Sequence, residues 1–144
     1  MTLDEWAVRW GIPPAALADL RASLVPETRI VAGVSEAAVQ QAIRIDASQR
    51  GARLWRNNVE ACATDDGRQI RYGLANDSPR INRVIKSSDL IGITPVNGVG
   101  VFTSIEVKRP GWRYTGTPRE RAQRAWLELI TAFGGIARFA TGPE

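Results

Sequence analysis

The spacing of apolar residues changes along the chain from a helical repeat to a strand-like alternation and back. Over residues 1–24 apolar positions recur every three or four residues, and the break at residues 11–14 predicts two short helices rather than one. The following stretch, residues 25–34, contains proline and glycine and is predicted to be a linker. We therefore expect a helical appendage with its linker over residues 1–30 and a larger domain over residues 31–144.

The first helix of the larger domain is predicted to begin after Ser35 and to end at Gly51. Serine is a favoured N-cap, a negative charge in the first turn suits the helix dipole, and glycine is favoured just past a helix end. Glu36 supplies that charge. One face carries an apolar stripe made of Val39, Ala42, Ile43 and Ala47, which predicts an amphipathic helix with one buried side.

The middle of the chain carries the strand signals. Turn sequences occur at Asp65-Asp66-Gly67 and at Asn97-Gly98, and such pairs of polar residues with glycine are typical of β-hairpins. We predict an exposed loop over residues 75–86, which is rich in Asn, Asp, Ser, Pro and Arg. The predicted strands cover residues 53–64, 68–74, 89–96 and 101–108.

A last helix has a clear predicted start. Thr117 suits the N-cap, Pro118 the first helical position, and Glu120 completes a capping box. Gly134-Gly135 ends the helix, and a short final strand is predicted over residues 136–140. The order helix, three or four strands, helix, strand predicts a mixed α/β core.

Composition removes several kinds of chemistry. The chain of 144 residues has no histidine, so Ser-His-Asp catalysis, Cys-His catalysis and histidine zinc sites are excluded. The single cysteine, Cys62, cannot form an internal disulfide, which favours a reducing cytoplasm. The sequence predicts neither a signal peptide nor a membrane span. The net charge of +4 fits either a nucleic-acid-binding protein or an ordinary basic protein.

Asp89, Glu106 and Lys108 form the pattern that points most directly to chemistry. Glu106 and Lys108 are two apart in one predicted strand and therefore project to the same face, with Val107 turned away. If the two strands of the predicted hairpin pair, Asp89 can join them. Two carboxylates and a lysine at one point can hold a divalent cation and a water, although a surface ion-pair cluster gives the same pattern.

The chain resembles the VRR-NUC family of the PD-(D/E)XK nuclease superfamily. The resemblance covers residues 35–140, and each of its pieces is weak by itself, but their order and spacing make a specific signal. It implies a restriction-endonuclease-like core and a short single-domain enzyme of the phage or bacterial type. The pieces are Ser87-Ser88-Asp89-Leu90-Ile91-Gly92, Ile105-Glu106-Val107-Lys108, Gln123 with Trp126, Gly134-Gly135, and the upstream Arg56-Asn57-Asn58.

The resemblance also implies roles for individual residues. Asp89 and Glu106 would bind Mg²⁺ or Mn²⁺ together with the backbone carbonyl of Val107, because such cations prefer hard oxygen ligands. Lys108 would orient or deprotonate the attacking water. Gln123 would position the water or Lys108, or is simply a solvated helix position. Glu36 is a predicted third carboxylate for the metal, unless it serves only as a first-turn helix charge.

Basic and polar residues around this motif are predicted to contact nucleic acid. Two of them, Arg109 and Arg113, are in the loop after the Glu-x-Lys strand. Arg56 and Asn57 are in the first predicted strand, and Ser88 directly precedes the strand that begins at Asp89. Asn57 has a second interpretation as the cap of a strand bulge. Trp112 and Tyr114 either stack on a base or cover the core edge. At residue 60 the family pattern leads us to expect a small residue, whereas this chain has Glu60, which faces either the metal or solvent.

These observations lead to one main expectation and one alternative. The main expectation is a cytoplasmic Mg²⁺- or Mn²⁺-dependent endonuclease that hydrolyses DNA, with branched or junction DNA as a candidate substrate. A homodimer is expected from the resemblance, and Trp6 and Trp10 are candidates for its interface. The alternative is a catalytically silent nucleic-acid-binding module on a nuclease fold.

Overall fold

The N-terminal part of the chain forms a small helical unit of its own. The computed structural model describes residues 1–24 and 34–143, and the chain divides into two compact units at residues 32 and 33. The first unit contains helices α1 (Leu3–Arg9) and α2 (Pro14–Leu24). The predicted pair of helices is therefore confirmed. The predicted linker lies outside the described residues apart from Val34, and so does the predicted boundary after residue 30.

The second unit is a mixed α/β fold, as predicted. A four-stranded sheet has the order β1-β4-β5-β6, in which β5 and β6 are parallel and the other neighbours antiparallel. A separate two-stranded sheet consists of β2 and β3. In chain order the elements are α3 (Glu36–Gln49), β1 (Arg53–Arg56), β2 (Glu60–Ala63), β3 (Gln69–Tyr72), α4 (Pro79–Val84), β4 (Leu90–Val96), β5 (Val99–Val107), α5 (Pro118–Ala132) and β6 (Ile136–Ala140).

Helices α3 and α5 lie on opposite faces of the four-stranded sheet. Alternate residues of β5 point to opposite sides. Ile105 and Val107 join the apolar cluster formed with α3, whereas Ser104 accepts a hydrogen bond of 2.8 Å from the indole of Trp126 on α5. Residues 104 and 106 of β5, and Lys108 directly after the strand, are therefore on the face directed toward α5. The cluster on the other face consists of Val39, Ile43, Leu54, Leu90, Ile105, Val107 and Ala140.

The central hairpin brings the two halves of the predicted motif together. Strands β4 and β5 are joined at Asn97-Gly98, where both residues have positive φ, as a type I′ turn requires. In the register, Leu90 pairs with Ile105. Continuing that register by one position sets Asp89 opposite Glu106, so the two carboxylates share a face.

Two predictions about the middle of the chain are wrong. The single strand predicted over residues 53–64 is split into β1 and β2, which belong to different sheets. The loop predicted over residues 75–86 contains the short helix α4, and Ser78 caps it while Pro79 opens it. This Ser-Pro pair is the same start signal as Thr117-Pro118 on α5.

In the described residues no helix combines the length and hydropathy that crossing a bilayer requires.

Candidate active site

The end of β5 directs an acid and a base into the interior. Glu106 is 3 % exposed and Lys108 is 8 % exposed, so both charged groups are withdrawn from bulk water. Lys108 Nζ lies 3.2 Å from Glu106 Oε1. Two buried charges are tolerated when they are paired and hydrogen-bonded, and the predicted projection of both side chains to one face is what allows this pair to form.

Gln123 on α5 closes a three-membered network with this pair. Its side-chain oxygen accepts a 2.9 Å hydrogen bond from Lys108 Nζ, and its amide nitrogen donates to Glu106 Oε1. Gln123 is 2 % exposed, so the alternative of a solvated helix position does not apply. The amide satisfies both charged groups at once and fixes their relative positions.

Asp89 is held against the backbone of β5. Its Oδ2 accepts a 2.9 Å hydrogen bond from the N–H of Val107. The N–H and C=O of one strand residue point to the same edge, so the carbonyl of Val107 is directed toward Asp89 as well. In the described part of the chain no residue donates a hydrogen bond to Asp89 Oδ1 or to Glu106 Oε2. Each carboxylate therefore has one oxygen held by the protein and one available to a ligand.

Asn57 holds the segment that precedes Asp89. Its amide nitrogen donates to Ser87 Oγ and to the carbonyl of Ser88, each at 2.8 Å, and its oxygen accepts from the N–H of Leu74 at 3.4 Å. Its backbone N–H donates to the carbonyl of Asp89 at 2.8 Å. The polar atoms of Asn57 are thus used within the protein, which supports its role in positioning Asp89 rather than in contacting nucleic acid.

The electrostatics of the two carboxylates favour binding of a cation. Burial raises the pKa of Glu106 to about 7, and the charge of Asp89 adds to the rise, while Lys108 opposes it. A cation between the two acids would remove that repulsion, and hard oxygen donors of this kind fit Mg²⁺ or Mn²⁺. Over residues 1–24 and 34–143 no group of three or more metal-binding acidic or cysteine side chains is present. The carboxylate set is therefore a pair.

A cavity of about 290 Å³ opens in front of this pair. Asp89, Glu106 and Gln123 form one side of it. The remaining lining is largely polar and comes from β2, β3, α4, the segments around them and the first turn of α5, namely Asn57, Val59, Glu60, Ala61, Arg71, Asn76, Asn82, Lys86, Ser87, Ser88 and Arg119. The cavity is thus the space from which a ligand would reach both carboxylates.

Aromatic rings cover the other side of Lys108. The centroid of the Trp112 ring lies 5.5 Å from Lys108 Nζ and that of Phe139 lies 5.8 Å away, within the range of cation–π attraction. The two rings pack on each other at 4.8 Å, and Tyr114 meets Trp112 edge-on at 6.4 Å. Of the two interpretations of Trp112, the structure supports the one in which it covers the core edge.

Glu120 anchors the loop that carries Trp112. Its Oε1 accepts a 3.0 Å hydrogen bond from the indole nitrogen of Trp112, and its Oε2 accepts from the N–H groups of Thr115 and Thr117 at 3.0 Å each. Burial acts to raise the pKa of Glu120, but these hydrogen bonds outweigh it and hold the pKa at about 2. The predicted capping box is confirmed, and the same residue also ties down the aromatic cover.

The other predicted site residues lie outside the network. Glu36 is exposed in the first turn of α3 and does not line the cavity, so the helix dipole is sufficient to explain it. Arg56, Arg109 and Arg113 are exposed. Ser88 is 1 % exposed and lines the cavity.

The carboxylate of Glu60 is directed toward a neighbouring strand. Its Oε2 accepts a 2.6 Å hydrogen bond from the hydroxyl of Tyr72 on β3. Glu60 lines the cavity but forms no metal-binding group with Asp89 and Glu106. The sequence predicted that Glu60 faces either the metal or solvent, and its contact with Tyr72 supports a position outside the metal site.

Sequence reasoning missed two cations that line the cavity, Arg71 and Lys86. Lys86 directly precedes the Ser87-Ser88-Asp89 motif, which was a local signal. Arg71 alternates with apolar residues in a predicted strand and gave no such signal.

Comparison with known proteins identifies the domain. The family model described as the VRR-NUC domain matches residues 34–144. Neither the curated proteins nor the solved structures contain a match to the chain.

Proposed function

This chain belongs to the VRR-NUC family, a nuclease family of the PD-(D/E)XK type, and we propose that it is a divalent-metal-dependent endonuclease acting on DNA. The observation that carries the proposal is the buried network of Glu106, Lys108 and Gln123, of which Glu106 and Gln123 line one cavity together with Asp89. A structural ion pair would need neither the second carboxylate nor the cavity. A phosphodiester hydrolase that binds its metal through carboxylates uses both, the acids to hold the cation and the cavity to admit the phosphate.

Asp89 Oδ1, Glu106 Oε2 and the Val107 carbonyl are the oxygens proposed to hold Mg²⁺ or Mn²⁺. The bound cation would lower the pKa of a coordinated water and offset charge on the phosphate. Glu36 is not part of this set, because it lies outside the cavity lining.

Lys108 is proposed to orient the attacking water and to stabilise charge that develops on the phosphate. An ammonium group has three donors, and two are used on Glu106 and Gln123. The third is available to water or to a phosphate oxygen. Gln123 holds Lys108 in place, so it is a positioning residue.

Both the substrate and the assembly of the enzyme can be specified further. We propose branched or junction DNA as the preferred substrate and a homodimer as the active form, because a two-fold axis sets two sites on opposite strands. Trp10 on the N-terminal unit is 64 % exposed and is a candidate contact. The free, exposed Cys62 suits a reducing cytoplasm.

A cleavage assay tests the proposal. Labelled duplex, flap, single-stranded and four-way-junction DNAs are incubated with the wild-type protein and with Lys108→Met, in Mg²⁺, in Mn²⁺ and in EDTA. We expect cutting that requires metal and falls by at least about 100-fold in the variant, as for loss of a positioned charge at the reacting centre. Arg50→Met, which removes an exposed cation on the C-cap of α3, should cut like the wild type.

Binding of DNA without cutting under every metal condition would contradict the enzyme. It would favour the alternative function, a catalytically silent nucleic-acid-binding module.

A further inference from the structure

Three cations line the same cavity as the carboxylate pair. Arg71 comes from β3, Lys86 from the segment after α4, and Arg119 from the first turn of α5. A positive charge in the first turn is not favoured by the helix dipole. The position of Arg119 therefore has no evident helix-stabilising reason.

Arg71 is held in place by neutral groups. Its Nε donates to the carbonyl of Asn76 at 2.9 Å and its Nη2 donates to the side-chain oxygen of Asn76 at 2.7 Å. Asn76 is 3 % exposed, and its amide nitrogen donates to the carbonyls of Glu60 and Tyr72. The guanidinium is thus fixed without a carboxylate, since no ion pair of Arg71 within 4.0 Å occurs in the described residues.

Lys86 is fixed in the same way. Its Nζ donates to the side-chain oxygen of Asn82, and its backbone N–H donates to the carbonyl of Ala122 at 3.0 Å. Burial lowers the pKa of Lys86, and repulsion from Arg119 and Arg71 lowers it further against a smaller attraction from Glu106. Lys86 is therefore affected more strongly by each of the other two cations than by Glu106.

A buried hydroxyl points to a ligand at the same place. Ser88 Oγ has no hydrogen-bond partner among the described residues although the side chain is 1 % exposed and lines the cavity. Buried hydroxyl groups are normally hydrogen-bonded. The third acid of the lining, Glu60, does not offset the cations by an ion pair, because its contact is with the Tyr72 hydroxyl.

We propose that Arg71, Lys86 and Arg119, with the Ser88 hydroxyl, form a subsite that binds a phosphate group next to the carboxylate pair. Arg71 and Lys86 are held by neutral partners and keep their charge for an anion, and arginine and lysine are the usual phosphate ligands. The cavity of about 290 Å³ is close to the lower end of the range of about 300–1,000 Å³ for small-molecule sites.

The subsite deepens the proposed function by assigning the part of the substrate that these residues recognise. The phosphate is either an internal diester or a terminal monoester of the nucleic acid, and both have the same charged oxygens. Naming nucleic acid as its source rests on the proposed function, whereas binding of phosphate does not.

Equilibrium binding without metal tests the subsite separately from catalysis. A fluorescent single-stranded oligonucleotide, with a 5′-phosphate or a 5′-hydroxyl, is titrated with the full chain in EDTA at several salt concentrations. Lys86→Met and Arg119→Gln should each weaken binding about 10-fold and each reduce the magnitude of the salt slope by about 1. Lys86→Arg should restore both quantities. Arg50→Gln, outside the cavity, should leave both unchanged.

The oligonucleotide pair identifies the source of the phosphate. If only the 5′-phosphorylated probe responds to the variants, the subsite takes a terminal phosphate. If both probes respond equally, it takes an internal diester. Unchanged affinity and salt slope in both folded variants would overturn the subsite, even where the wild-type protein cleaves DNA. A protein that never cleaves but shows these losses would overturn the enzyme and keep the subsite.

Discussion

The ionisation of Glu106 should make the stability of the metal-free protein fall as pH rises. The pKa of this buried carboxyl is about 7, against an ordinary value of 4.5. A raised folded-state pKa contributes stability that is fully present below about pH 4.5 and is lost as the pH rises through 7. At about 1.4 kcal/mol per pKa unit, the whole effect on the free energy of unfolding is about 3 kcal/mol.

Glu106→Gln isolates this contribution because glutamine has a similar shape and does not titrate. Urea unfolding of the wild type and the variant is measured in EDTA at pH 5 and at pH 8. Between these values the wild type should lose about 2–3 kcal/mol relative to the variant, since part of the loss has already occurred at pH 5. Costs of the substitution that do not depend on pH cancel in this comparison.

A second carboxylate provides the matched control. Glu128 on α5 is exposed and pairs with Arg124 at 2.8 Å, so Glu128→Gln should follow the wild-type pH profile. Parallel profiles for the wild type and Glu106→Gln would refute the assignment of the raised pKa. At pH 8, Ca²⁺ should stabilise the wild type and not Glu106→Gln, because a ligand that binds only the folded state stabilises it.

Two further substitutions test the framework around the site. Asn57→Ala removes the hydrogen bonds to Ser87 and Ser88. It should therefore cost about 1–3 kcal/mol of stability and raise the metal concentration needed for half-maximal cleavage. If Asn57→Ala needs no more metal than the control Asn58→Ala, the positioning role of Asn57 is contradicted. Gly92→Ala sets a Cβ 1.8 Å from the carbonyl of Arg53 on the neighbouring strand. Urea unfolding should show that the free energy of unfolding falls by about 1–3 kcal/mol or more. The control is Gly142→Ala, whose added Cβ meets nothing within 4 Å, and equal stability of the two variants would contradict the close approach at Gly92.

Signals that act over a few residues were sufficient for much of the fold. The turn at Asn97-Gly98 fixed the central hairpin because its two residues accept positive φ. The start of α5 followed from Thr117, Pro118 and Glu120, whose side chains and ring satisfy or remove the free N–H groups of the first turn. The final strand, β6, has the predicted bounds.

The errors arose where distant segments decide the local structure. Within residues 53–64 the pair Asn57-Asn58 disfavours a strand, but it does not indicate that the chain leaves one sheet at Asn57 and enters another at Glu60. The backbone of Gly73 lies close to the chain at this break, because a Cβ there would lie 2.7 Å from the carbonyl of Asn58. Helix α4 was missed because its six residues carry little periodicity.

The candidate site likewise has one part that the sequence predicts and another part that only the fold brings together. Glu106 and Lys108 are two apart in one strand, so sequence alone predicts that they share a face. Arg71 and Arg119 reach the same cavity from elements 48 positions apart along the chain. Only the packing of β3 and α5 around the cavity brings them together, and no spacing rule covers such a pair.

The neutral amide at Gln123 explains how the site can hold its charges without a cation. Its oxygen accepts from Lys108 and its nitrogen donates to Glu106, a division of roles that a carboxylate cannot perform because an ionised carboxylate only accepts. A glutamate there would add a third acid and would further raise the pKa of Glu106. With glutamine, Lys108 keeps a fixed position while the charge of Glu106 remains free to respond to its surroundings. The amide thus links the acid that is proposed to bind the cation to the lysine that is proposed to orient the attacking water.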